Sequence, residues 1–124
     1  MDISIEFPDE GVSTGVAVEE MPTGYYRLIE HPTLCESAKY GDIVELKKLE
    51  SNDFIFVKVV EPSNYQIADY VLPMEIAEST DLKIILERHM RSGGFWQTDF
   101  GGLLMVFYSA EKYDPRNDIE SINP

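Results

Sequence analysis

A helical period occurs with force only once in this chain, and that single occurrence limits the fold more than any other feature. Leu82, Ile85, Leu86, His89 and Met90 fall at i, i+3, i+4, i+7 and i+8, an apolar stripe along one side of a helix. Lys83, Glu87 and Arg91 form i, i+4 neighbours on the outer side. Ser79 or Thr80 can cap the start, Asp81 and Arg91 suit the two ends of the dipole, and Gly93 is available for a left-handed stop. The pattern predicts a helix over Asp81–Ser92. Elsewhere, turn residues separate short runs rich in β-branched and aromatic residues: Ser13–Glu19, Gly24–Glu30, Asp42–Lys48, Phe54–Glu61 and Tyr65–Leu72. After the helix, Phe95–Asp99 and Leu103–Ser109 read as a hairpin across Phe100-Gly101-Gly102, whose glycines permit positive φ. A lone amphipathic helix must bury its stripe on a sheet. The expected class is therefore α+β, a mostly antiparallel sheet with a β-rich N-terminal part, then strand, helix, strand, strand, and one main amphipathic helix.

A chain of 124 residues has room for one ordinary core, so residues 1–124 read as a single domain. Residues 1–11 are acidic and read as loosely held, and residues 111–124 as a weakly structured end in which Asp114-Pro115 opens a short helix anchored by Ile119 and Ile122. Phe54–Glu61 is apolar on both faces except at Lys58, the pattern of an interior strand. No apolar run approaches the length that spans a bilayer, and Met1–Glu10 lacks the basic start of a secretory leader. Cys35 stands alone, which excludes an internal disulfide and fits a reducing compartment. The expectation is a cytoplasmic protein with no membrane partner.

Charge narrows the function. Ten Lys and Arg against 23 Asp and Glu leave a net charge of −13, which argues against nucleic acid, since neutralising phosphates takes clustered cations. Aromatics at 11% argue against an acidic disordered chain. Catalytic groups do not assemble: His31 lies before Pro32, His89 lies on the helix stripe, and neither has a partner at metal spacing. His31 and Cys35 are four residues apart, which admits a Cys/His enzyme acting on a small molecule, but no nucleophile turn surrounds them. Gly93-Gly94 and Gly101-Gly102 are turn glycines and not a phosphate loop. No catalytic residue, metal or cofactor is expected, and the chain reads as a binding protein.

Gly24-Tyr25-Tyr26-Arg27-Leu28, then Ala38-Lys39-Tyr40-Gly41-Asp42-Ile43-Val44-Glu45, then Phe56-Val57-Lys58-Val59-Val60 resemble, in order and spacing, a family of uncharacterised bacterial proteins, a domain of unknown function. The match runs over roughly residues 13–110 and departs at Glu61-Pro62-Ser63-Asn64, where family members carry a glycine-containing loop. The resemblance implies no catalytic residues. By composition the chain is also similar to the acidic immunity proteins that neutralise basic toxins, nucleases among them. The function read from the sequence is a non-catalytic acidic binder that occludes a basic protein partner. The alternative is a housekeeping interaction or regulatory domain without a toxin. Strand alternation places Asp69 opposite Tyr70, and Gln97 and Asp99 opposite Trp96. The candidate partner-binding residues are Asp69, Asp99, Tyr70, Trp96 and Gln97, with the acid-rich Glu19, Glu20 and Glu30 as a second location.

Overall fold

Polar and apolar residues alternate strictly over Asp2-Ile3-Ser4-Ile5-Glu6-Phe7, and a strand with that period buries every second side chain. In the computed structural model, which describes residues 1–33, 35–99, 102–109 and 111–123, this segment is β1 (Asp2–Phe7), with Ile3, Ile5 and Phe7 buried. It is followed by β2 (Val12–Glu20), β3 (Tyr26–Leu28), β4 (Ile43–Glu50) and β5 (Asp53–Glu61). Each strand pairs antiparallel with the next. In a five-stranded meander the first and last strands point the same way, so closure needs a parallel pair. Ser4, Ile5 and Glu6 of β1 supply it by pairing with Asp53, Phe54 and Ile55 of β5, and the five strands form a closed barrel.

The barrel interior is filled by Ile3, Ile5, Phe7, Val16, Val18, Leu28, Val44 and Phe54, with the Phe7 and Phe56 rings 5.1 Å apart. Gly11, at φ 66°, turns the chain between β1 and β2, where its N–H donates to the Phe7 carbonyl at 3.0 Å. Residues 1–64 form one compact unit and residues 65–124 a second.

The second unit holds a three-stranded antiparallel sheet in the order β6 (Gln66–Val71), β8 (Leu103–Tyr108), β7 (Phe95–Asp99). A four-residue helix α1 (Met74–Ala77) follows Pro73, the long helix α2 (Thr80–Arg91) precedes β7, and α3 (Arg116–Ile122) follows β8. Ser79 caps α2 by accepting from the Leu82 N–H at 3.1 Å, and Gly93 takes the left-handed stop at φ 94°. Leu82 and Leu86 of α2 and Ile119 of α3 pack with Leu72, Leu104, Val106 and Tyr108 in a core of their own.

Several expectations need correcting. An α+β fold with one main amphipathic helix does not hold: among the described residues most of the ordered structure is sheet, and three helices of 4, 12 and 7 residues accompany a closed barrel and a separate sheet. A barrel buries its own inner face, so residues 1–64 need no covering helix. The stretch read as one domain contains two compact units. Residues 1–11 are not loosely held, because β1 completes the barrel. In the C-terminal segment the helix expected after Asp114-Pro115 is α3, and its expected anchor Ile119 is fully buried. Val57 and Val60 are exposed on β5, since a closed barrel leaves the outer face of every strand uncovered. The glycine turn expected of the last hairpin falls at Phe100-Gly101, outside the described residues.

Candidate partner-binding surface

The outward side chains of β1 are Asp2, Ser4 and Glu6, and their neighbours across β2 are Ala17, Gly15 and Ser13. On the other side of β1, Ser4 and Glu6 face Asp53 and Ile55 of β5. Small residues in three adjacent positions leave a depression over β1, and a Cβ built on Gly15 meets nothing within 4 Å. Two hollows of about 410 and 630 Å³ share Ser4 and Asp53 and together form a trough along this face. Its walls carry Asp2, Glu30 and Asp53 in one hollow and Glu6, Glu50 and Asp53 in the other. Among the described residues neither hollow is lined by a Lys or Arg, and none of these five carboxylates forms an ion pair.

Glu30 is one of the sequence-predicted site residues, and it reaches the trough while accepting from the Ala17 N–H at 2.7 Å. Glu19 and Glu20 lie at the far end of β2, outside the trough. Glu19 pairs across the strands with Arg27, 3.8 Å away. Of the other trough residues, Asp2, Ser4 and Glu6 share one face by the alternation of β1, whereas Gly15, Glu50 and Asp53 join them only through strand pairing.

On the three-stranded sheet, register places Asp69, Met105 and Gln97 in one row and Val71, Leu103 and Asp99 in the next, all on the face turned from α2. Asp69 is exposed, whereas Gln97 and Asp99 are half-buried and already engaged. Tyr70 and Trp96 do not join them. Both stand on the helix-covered face, packed against the core of the second unit. The five residues proposed as one site are therefore divided between two faces, as the two-residue period of a strand requires.

Cys35 and His31 are each engaged with other groups. The Cys35 thiol donates to the Glu10 carboxylate at 3.2 Å, and burial, aided by that carboxylate, pushes the thiol up to about 11. His31 Nδ1 accepts from the Tyr40 N–H at 3.2 Å. Glu10 is instead a clamp for the loop before β4. It takes hydrogen bonds from the Ser37 hydroxyl at 2.5 Å, the Glu36 N–H at 2.8 Å and the Ser37 N–H at 3.0 Å, and these donors hold its carboxyl down at about 2. Buried Asp42 does similar work, accepting from the N–H groups of Lys39 and Ser63 at 2.9 and 2.7 Å. Both carboxylates hold loop backbone, Glu10 with the Ser37 hydroxyl and Cys35 thiol as further donors and Asp42 with the Lys39 ammonium 3.8 Å away, which is structural chemistry. His89 is fully buried, with Nε2 2.9 Å from the Phe95 carbonyl oxygen. Among the described residues no group of three His, Cys, Asp or Glu side chains is placed to hold a metal ion.

A solved structure shares the fold. It is a crystal structure described as that of a hypothetical protein from Neisseria gonorrhoeae, similar at a TM-score of 0.64 and 19% sequence identity over 98% of this chain and 84% of that one. At that identity the likeness extends to the fold alone. No known family's sequence pattern matches the chain, and no curated protein does. Among the described residues no helix is long and apolar enough to cross a membrane.

Proposed function

We propose that this protein is a non-catalytic binder whose acidic barrel face receives a cationic protein partner, and that its role is to occlude a basic toxin as an immunity protein or inhibitor does. The observation that carries this reading is the trough over β1, where five exposed carboxylates surround a floor of small side chains with no cation among the described residues that line it. Unpaired surface charge of one sign raises the encounter rate with an oppositely charged partner and repels like-charged ones. A recess floored by Ser4, Ser13 and Gly15 leaves room for the long side chains of Arg or Lys to enter between the carboxylates. The engagement of Cys35 and His31 in structural hydrogen bonds weighs against the enzyme alternative. The resemblance to an uncharacterised bacterial family brings no catalytic residue to set against it.

The test is association with the protein encoded by the neighbouring gene, or with a basic protein recovered by pull-down, measured at low and high salt. The expected result is an association rate that falls steeply as salt rises. Gly15→Phe fills the trough without strain or charge change, and in a folded variant it should weaken binding severely. Binding that ignores both salt and Gly15→Phe would place the partner elsewhere.

A further inference from the structure

The second unit contains an apolar cavity of about 600 Å³ between α2 and the helix-covered face of the sheet. Its floor is Trp96 and Thr98 of β7 with Leu104 of β8, and its inner wall is Leu82, Leu86 and Met90, which follow one another at four-residue intervals along α2. Ala77 and Gly102 line it where larger side chains would fill it. The space is of the size of small-molecule sites, about 300–1,000 Å³, and its mostly apolar floor and inner wall suit the apolar part of a ligand.

Its rim is not apolar. Lys83, Glu87 and Arg91 run parallel to the inner wall, one position further round the helix, over eight residues or about 12 Å. The residues of this unit include ten acids and five bases, and two of those five bases stand on this one rim. Arg91 engages Glu87 at 3.7 Å, while Lys83 has no ion pair among the described residues. The rim therefore carries a surplus positive charge in a chain of net charge −13. A second copy of so acidic a chain is electrostatically disfavoured as the occupant, and a cationic head group would have to displace Arg91 from Glu87.

We propose that this cavity binds a small amphipathic carboxylate, its aliphatic tail lying between α2 and β7–β8 and its head group held by Lys83 and Arg91. The site is separate from the acidic trough and does not depend on the function proposed for it.

Trp96 is the one tryptophan of the sequence, so its emission reports occupancy of this cavity directly. The full-length protein is titrated with decanoate and with decyltrimethylammonium, each below its micelle concentration. The expected result is a saturable change in Trp96 emission with decanoate at concentrations at least about tenfold lower than with the cation, a difference within reach of two surface charges. Glu87→Gln should tighten decanoate binding, and Lys83→Glu with Arg91→Glu should reverse the preference between the two head groups. These three positions are exposed, so the variants should fold, which circular dichroism checks. Ala77→Phe should abolish binding of both. No saturable response, equal responses to the two head groups, or unchanged binding in folded Ala77→Phe would each overturn the proposal. Concentration-dependent self-association that alters Trp96 emission would also overturn it by assigning the cavity to a second copy.

Discussion

The carboxylates around α3 in the sheet unit and those along the trough in the barrel are handled in opposite ways. In the sheet unit the carboxylates around α3 have partners. Asp114 takes a two-pronged contact from Arg116, with the closest approach 2.7 Å, and Asp118 lies 3.9 Å from Arg88 and accepts from the Tyr113 hydroxyl. Arg88 and Arg116 also stack over Tyr113 and Tyr108. In the barrel, Glu10 and Asp42 are engaged by hydrogen bonds and Asp42 and Glu19 by ion pairs, whereas the five along the trough are left without counter-charge among the described residues. Arg88 and Arg116 meet Asp118 and Asp114 at exposed positions, where such pairs add little stability. A closed barrel is held by its inner face and its ladder, which leaves the outer face free to carry like charges at a modest cost in self-repulsion.

The sharpest way to break the comparison is to empty the barrel core. Phe7→Ala removes a ring that is 1% exposed and packed on Phe56, and should cost about 3–5 kcal/mol, read by loss of amide-exchange protection across residues 1–64. A loss below about 1 kcal/mol would mean that the inner face is not what holds the barrel. For the sheet unit the matching variant is Leu86→Ala, at 6% exposure, with an expected loss of about 2–5 kcal/mol. Urea unfolding followed by Trp96 emission reads it, because that ring packs in the same core. A negligible effect would place the apolar face of α2 elsewhere.

A smaller effect sharpens the role of the loop clamp. The Glu10 carboxyl sits at about 2 in the folded protein against an ordinary 4.5, so the stabilisation it gives is complete above pH 4.5 and drains away as the pH falls toward 2. Glu10→Gln should therefore be less stable than the parent at neutral pH, with the gap narrowing on acidification through that window. Thermal melts at stepped pH measure it. A gap that stays constant across the window would show that the carboxylate's charge is irrelevant to the clamp. The same variant should label faster at Cys35 with a thiol reagent, since it removes the negative charge that helps burial hold the thiol protonated.

How much of this was legible depends on whether the signal was local. The cap at Ser79, the stripe through Leu82, Leu86 and His89, and the stop at Gly93 are all within one stretch of chain, and α2 lies within a residue of its expected bounds. The opposition of Asp69 to Tyr70, and of Gln97 and Asp99 to Trp96, followed from strand period alone, and grouping them as one site was the error. Barrel closure was out of reach, because nothing in Ser4-Ile5-Glu6 or Asp53-Phe54-Ile55 announces that two strands some fifty residues apart pair in parallel. The trough depends on that pairing and on the register of Ser4 with Gly15, so it could not be assembled before the fold. The alternation of β1 is local to Asp2–Phe7, but the acids at its outward positions mask that period with charge.

On the proposed function, a cationic partner meets the barrel trough and not the sheet. Two charge reversals compared in one assay test it most directly: Asp2→Lys with Glu6→Lys and Asp53→Lys on the barrel, against Asp69→Lys on the exposed part of the sheet face. With the cationic partner at low salt, the barrel triple variant should associate at least about tenfold more slowly than the parent and lose most of its salt dependence, while Asp69→Lys stays close to the parent rate. An unchanged rate in the folded triple variant, or a larger loss from Asp69→Lys, would contradict the account.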